Sequence, residues 1–177
     1  MKKCLFVAIL TIIVGGIFAS SGVADDTLVA FKGGVGVIPV SSGVGTATTA
    51  TTVNRNIVRG VQPPGQIWRI DDLKVKVKTD GSITVDGQGL LLAGGNNIGT
   101  NANASVFATL ICEATAPFTE RNTSLAGVAL AVNGDFHIDD VLLPAPPPQC
   151  ASPVLLIRNA ANQAWFAAGI LKIDNGN

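Results

Sequence analysis

The stretch Leu73–Gly87, LKVKVKTDGSITVDG, holds two short runs in which Val or Ile alternates with charged or polar residues, separated by Thr79-Asp80-Gly81. Successive side chains on a strand point to opposite faces, so this alternation is the signature of a half-buried strand. Two such runs around Asp-Gly predict a hairpin. The pattern also selects the register. With Thr79-Asp80-Gly81 as the loop, Lys78 faces Ser82, Val77 faces Ile83, Lys76 faces Thr84, Val75 faces Val85 and Lys74 faces Asp86. Val75, Val77, Ile83 and Val85 then share one face, and the lysines with Ser82, Thr84 and Asp86 share the other. A two-residue loop sets lysines beside valines, because a slip of one residue reverses every assignment on that strand. Gly81 suits the left-handed position that ends a three-residue loop.

Gly127–Asp140, GVALAVNGDFHIDD, follows the same rule. With Val132-Asn133-Gly134 as the loop, Leu130 faces Phe136 and Val128 faces Ile138 on the apolar side. Ala129 then faces His137, and Ala131 faces Asp135. A two-residue Asn-Gly turn is rejected because it sets Leu130 beside His137.

Helical periodicity is nearly absent elsewhere. Strands are expected near 28–32, 35–40, 52–61, 67–78, 82–92, 105–112, 128–132, 135–143, 154–158 and 165–173. Many short strands with frequent turn residues predict an all-β domain, an antiparallel sandwich or alternatively a small barrel, of about eight to ten strands. Ser41–Thr52 is small and polar and reads as a loop or weak edge strand. Gly94–Ser105 reads as a long loop whose Gly and Asn residues supply positive-φ turns. Pro144–Cys150 reads as stiff and extended.

The chain begins MKKCLFVAILTIIVGGIFASSGVADD: two lysines, an apolar run of about 16 residues, then small residues and acids. This is the layout of a secretory signal peptide over residues 1–24, with the folded domain at 25–177. The run is shorter than the roughly 20 residues of a membrane span, so no span is expected after cleavage. The location expected is secreted or periplasmic. Without Lys2 and Lys3 the balance is ten basic to twelve acidic residues. No basic cluster dominates, so nucleic acid is not an expected partner. Cys112 and Cys150 remain after cleavage and are expected to form one disulfide.

The segments LLLAGGNNIGTNANASVFATLIC, PQCASPVLLIRN and WFAAGILK resemble small secreted bacterial proteins of unassigned function. The resemblance covers most of the domain and implies address and fold; it carries no activity.

No residue is assigned a catalytic or cofactor-binding role. GGNNIG lacks the spacing of a phosphate cradle. Asp135, His137 and Asp139 form D-x-H-x-D on one strand face, and a metal there would need a further ligand from elsewhere. A structural calcium would draw on Asp71-Asp72, Asp139-Asp140, Asn96, Asn97 and Asn101, though no D-x-D-x-D-G loop is present. Trp68 and Trp165 read as core more readily than as a sugar-stacking platform. Asn103 and Asn122 begin glycosylation-type triplets. Lys74, Lys76 and Lys78 read first as guards of an edge strand, and second as a stripe for anionic glycan or lipid headgroups. The function expected is a secreted or periplasmic non-catalytic domain that acts through its surface or as an envelope-associated structural protein, with an unknown envelope or extracellular ligand. The alternative is a secreted hydrolase or metal-dependent enzyme using Asp135, His137 and Asp139.

Overall fold

A computed structural model describes residues 26–44 and 52–173. The expected signal peptide at 1–24 and most of the polar stretch after Val44 lie outside the described residues. Those described are all-β, with thirteen strands and no helix. They are β1 (Thr27–Gly36), β2 (Val40–Val44), β3 (Thr52–Arg55), β4 (Trp68–Arg69), β5 (Asp72–Lys78), β6 (Ser82–Gln88) and β7 (Leu91–Leu92). There follow β8 (Ser105–Ile111), β9 (Arg121–Asn122), β10 (Val128–Ala129), β11 (Phe136–Val141), β12 (Val154–Asn159) and β13 (Trp165–Leu171). Four of the thirteen are two-residue strands, so the longer ones number nine, within the range expected from sequence.

The main antiparallel sheet runs β10-β8-β12-β13-β1-β5-β6-β11, with β9 also on β8. Its two end strands come back toward each other. Residues 121–130 line one edge of β8 through β9, β10 and a bond from Leu130 N to Ala104 O of 2.9 Å. The far edge of that segment meets the neighbourhood of β11 at both ends. Asn122 and Leu143 exchange two backbone bonds of 2.9 Å, and Ala131 N donates to Asp135 O at 2.9 Å. Between these ties Ser124 N donates to Asp140 Oδ2 at 2.8 Å, but among the described residues no strand ladder joins the two segments, so the sheet is nearly closed and barrel-like.

The first hairpin has the register expected: Lys74 pairs with Asp86, Val75 with Val85, Lys76 with Thr84 and Val77 with Ile83. Val75, Val77, Ile83 and Val85 are buried, whereas the Lys74 side chain is 61% exposed. Gly81 has φ +90°.

In the second hairpin the turn is as read, but the pairing is corrected. Val128 and Ala129 pair with Val106 and Ser105 of β8, and not with Ile138 and His137. Phe136 and Ile138 pair instead with Gly87 and Val85 of β6. The inward and outward faces survive the change: Leu130, Phe136 and Ile138 are in the core and His137 is exposed. Pairing β11 to β6 sets Ile138 beside Val85 and covers the open edge of the first hairpin, a gain that local alternation cannot reveal.

β8 and β12 are buried on both faces, from Val106 to Ile111 and from Leu155 to Arg158. That accounts for their mainly apolar runs, in which Thr109 and Arg158 are the buried polar residues. Loops cover the side away from the barrel interior. Trp165 Nε1 donates to Asn56 O at 2.9 Å, its backbone N donates to Gln62 O at 3.0 Å, and Trp68 stacks on Phe166 with ring centroids 3.8 Å apart. Gly36 is required where β4 crosses β1, since a Cβ there would sit 2.1 Å from Trp68 O. The separate strands expected at 28–32 and 35–40 are divided differently: β1 runs through a bulge from Thr27 to Gly36, residues 37–39 are not strand, and Val40 opens β2.

Candidate anion-binding face

β5 is not an edge strand. It lies between β1 and β6 and pairs with both. Reading its lysines as guards against unwanted strand pairing is therefore corrected, for neither edge is open. The other two lysines beyond the expected signal peptide, Lys32 and Lys172, lie on the same outward face as Lys74 and Lys76. Lys32 pairs directly opposite Lys74 across β1–β5, Ala30 opposite Lys76, and Thr27 opposite Lys78. Lys172 joins β1 through a bond from its backbone N to Ala30 O of 2.9 Å. Lys32, Lys74, Lys76 and Lys172 border a shallow depression of about 370 Å³ with Thr84 and Asp86 on its far side. Three adjacent strands thus gather every lysine of the described chain.

Aspartates offset part of this charge. Lys74 Nζ is 3.0 Å from Asp72 Oδ2, and Asp26 is 3.0 Å from Lys78 and 3.9 Å from Lys76. The Lys74 ammonium holds the Asp72 carboxyl below its ordinary range, and hydrogen bonding to Asp26 raises Lys78. Like charges directly opposite across a strand pair are destabilising. Lys32 opposite Lys74 is such a pair.

The arginines are used differently. Arg55 donates to Pro63 O at 2.8 Å, and Arg69 pairs with Asp71. Arg59 donates to Glu113 O, to Ser152 O at 2.9 Å and to Ser152 Oγ at 2.6 Å. Buried Arg158 reaches Glu120 at 2.6 Å and Gln163 O at 2.8 Å, with its guanidinium over the Phe107 ring. Buried Arg121 forks onto Glu113 at 2.8 and 3.4 Å. That guanidinium pulls the Glu113 carboxyl from 4.5 to about 2. Each arginine ties loop or strand to its neighbour, and none lines the lysine depression. The sequence held no signal for these partners, because loop residues such as Glu113 and Glu120 carry no periodicity to place them.

The other residues singled out by sequence are dispersed. His137 Nδ1 lies 2.7 Å from Asp86 Oδ1, its cross-strand neighbour on β6, with both side chains exposed. Asp135 instead accepts from Gly89 N at 3.1 Å and from Asn133 Nδ2 at 2.7 Å. Asp139 stands opposite Thr84. Asp71 and Asp72 serve Arg69 and Lys74, and Asp140 accepts from Ser124 N at 2.8 Å. Asn101 ties its loop to Leu130 O and Ala131 O, each at 3.0 Å, while Asn96 and Asn97 are exposed. Among the described residues no group of three or more His, Cys, Asp or Glu is placed to hold a metal ion. Trp68 and Trp165 are buried. Asn103 is exposed with φ +51°, and Asn122 accepts from Thr109 Oγ1 at 2.6 Å.

Cys112 and Cys150 are joined in a disulfide. A buried disulfide fits an extracellular or periplasmic protein. Among the described residues no helix is long and apolar enough to cross a membrane. No family model, no curated protein and no solved structure matches the chain.

Proposed function

We propose that this chain is an exported, non-catalytic β-domain that acts by holding an anionic component of the cell envelope against the outward face of β13, β1 and β5. The observation that carries this reading is the gathering there of all five lysines among the described residues, away from any sheet edge. The hairpin needs only polar residues on its outer side, and Thr or Ser would serve without the repulsion between Lys32 and Lys74. The depression they border is open, as suits a surface that docks rather than a cleft that reacts. The enzymatic alternative needs Asp135, His137 and Asp139 to act together, and their side chains have separate partners or neighbours.

Retention on an immobilised sulfated polymer at low ionic strength tests the reading. The wild-type protein is expected to bind and to elute with added salt, since exposed charges are screened within about 10 Å at 0.1 M. Lys32→Gln/Lys74→Gln/Lys76→Gln is expected to elute at markedly lower salt. Equal elution of the two proteins would remove the lysine face from the account.

A further inference from the structure

We infer that the anionic partner of the lysine face is a lipid bilayer surface, to which the domain attaches peripherally. This rests on the anion-binding reading above and adds a second observation. The same outward face continues into exposed apolar side chains. Val35 of β1, paired with Ala168, is 52% exposed, and Ile170 of β13, two residues before Lys172, is 49% exposed. Ile170 lies over Gly33, next to Lys32. Beyond them Ile173 is 74% exposed. Basic and apolar groups side by side are what an interfacial binder presents: lysines to phosphate headgroups, short aliphatic chains to the acyl boundary. A polysaccharide calls for different furniture. Sugar rings stack on aromatics, and both tryptophans are buried. Forked recognition of sulfate or carboxylate is the province of arginine, and all five arginines are engaged elsewhere. Lysines act as point charges, which suffices for a fluid layer of phosphates. A second copy of the chain could match the lysines through Asp86 and Asp139 on β6 and β11, but that pairing leaves Val35 and Ile170 without a role.

Co-sedimentation of the purified protein with vesicles tests this, using phosphatidylcholine alone and phosphatidylcholine with phosphatidylglycerol. Binding is expected only to the anionic vesicles and to fall in high salt. Each lysine near such a surface contributes about fivefold, so Lys32→Gln/Lys74→Gln/Lys76→Gln is expected to lower partitioning by about 100-fold. Ile170→Ser is expected to lower it about tenfold while leaving retention on the sulfated polymer unchanged. Retention on the polymer without vesicle binding overturns the lipid inference and leaves the anion-binding reading standing. Failure of both overturns both. Vesicle binding indifferent to Ile170→Ser, or a wild-type dimer that the lysine variant dissolves in place of vesicle binding, also overturns it. Circular dichroism of each variant confirms that it is folded.

Discussion

Removing the disulfide with Cys112→Ala/Cys150→Ala is expected to lower the free energy of unfolding by about 4 kcal/mol and to leave the fold intact. The bond closes a long loop, with a separation of 38 residues, so the unfolded chain without it gains a large closure entropy. It fastens the end of β8 to the approach to β12, two strands already paired along their length. Two other ties hold the same place: Ser152 N donates to Cys112 O at 3.0 Å, and Arg59 reaches both Glu113 O and Ser152. The native geometry therefore has support beyond the sulfur bond, and a domain of this size has on the order of 5–15 kcal/mol to draw on. Urea unfolding followed by tryptophan fluorescence measures the difference. A midpoint equal to that of the wild type would show that the crosslink is energetically idle.

Glu113→Gln is expected to cost about 3 kcal/mol near neutral pH. Arg121 is buried with its side chain 8% exposed, and Glu113 supplies its counter-charge through two contacts. The amide cannot do so, and the guanidinium is left charged in a site where Nε already lacks a partner. The effect has a defined pH dependence. The folded carboxyl titrates near 2 against an ordinary 4.5, so the ion pair contributes fully above pH 4.5 and is lost as pH falls toward 2. Wild type and variant should differ most at neutral pH and converge below pH 4.5. Urea midpoints measured from pH 7 to pH 2 check this, and a constant gap across that range would contradict the role given to Glu113.

The first hairpin was legible to the residue because one face is buried and one is wet, and only one register keeps them apart. β8, β12 and β13 were legible as apolar runs, and the disulfide from two cysteines in a chain with an export-type beginning. The second hairpin was half legible. Its turn and its faces followed from Leu130, Phe136 and Ile138, but which strands they would join depends on Val85 and Val106, far away in sequence. Sequence also could not place β5 at the middle of the sheet, and so it suggested a guarded edge. The lysine face becomes visible only when Lys32 and Lys172, each isolated in the chain, are brought beside Lys74 and Lys76. The D-x-H-x-D pattern points the other way: alternation places its side chains on one face, yet His137 finds Asp86 across the strand pair.

The claim at the centre of this account is that the lysines serve binding and not folding, and thermal unfolding of Lys32→Gln/Lys74→Gln/Lys76→Gln at low ionic strength tests it most directly. Exposed, solvent-screened pairs such as Lys74–Asp72 add little to stability, and relief of the Lys32–Lys74 repulsion offsets what they add. The expected Tm therefore equals that of the wild type within about 2 °C, or exceeds it. A Tm lower by about 8 °C or more would make the lysines part of the structure's own support and contradict the claim.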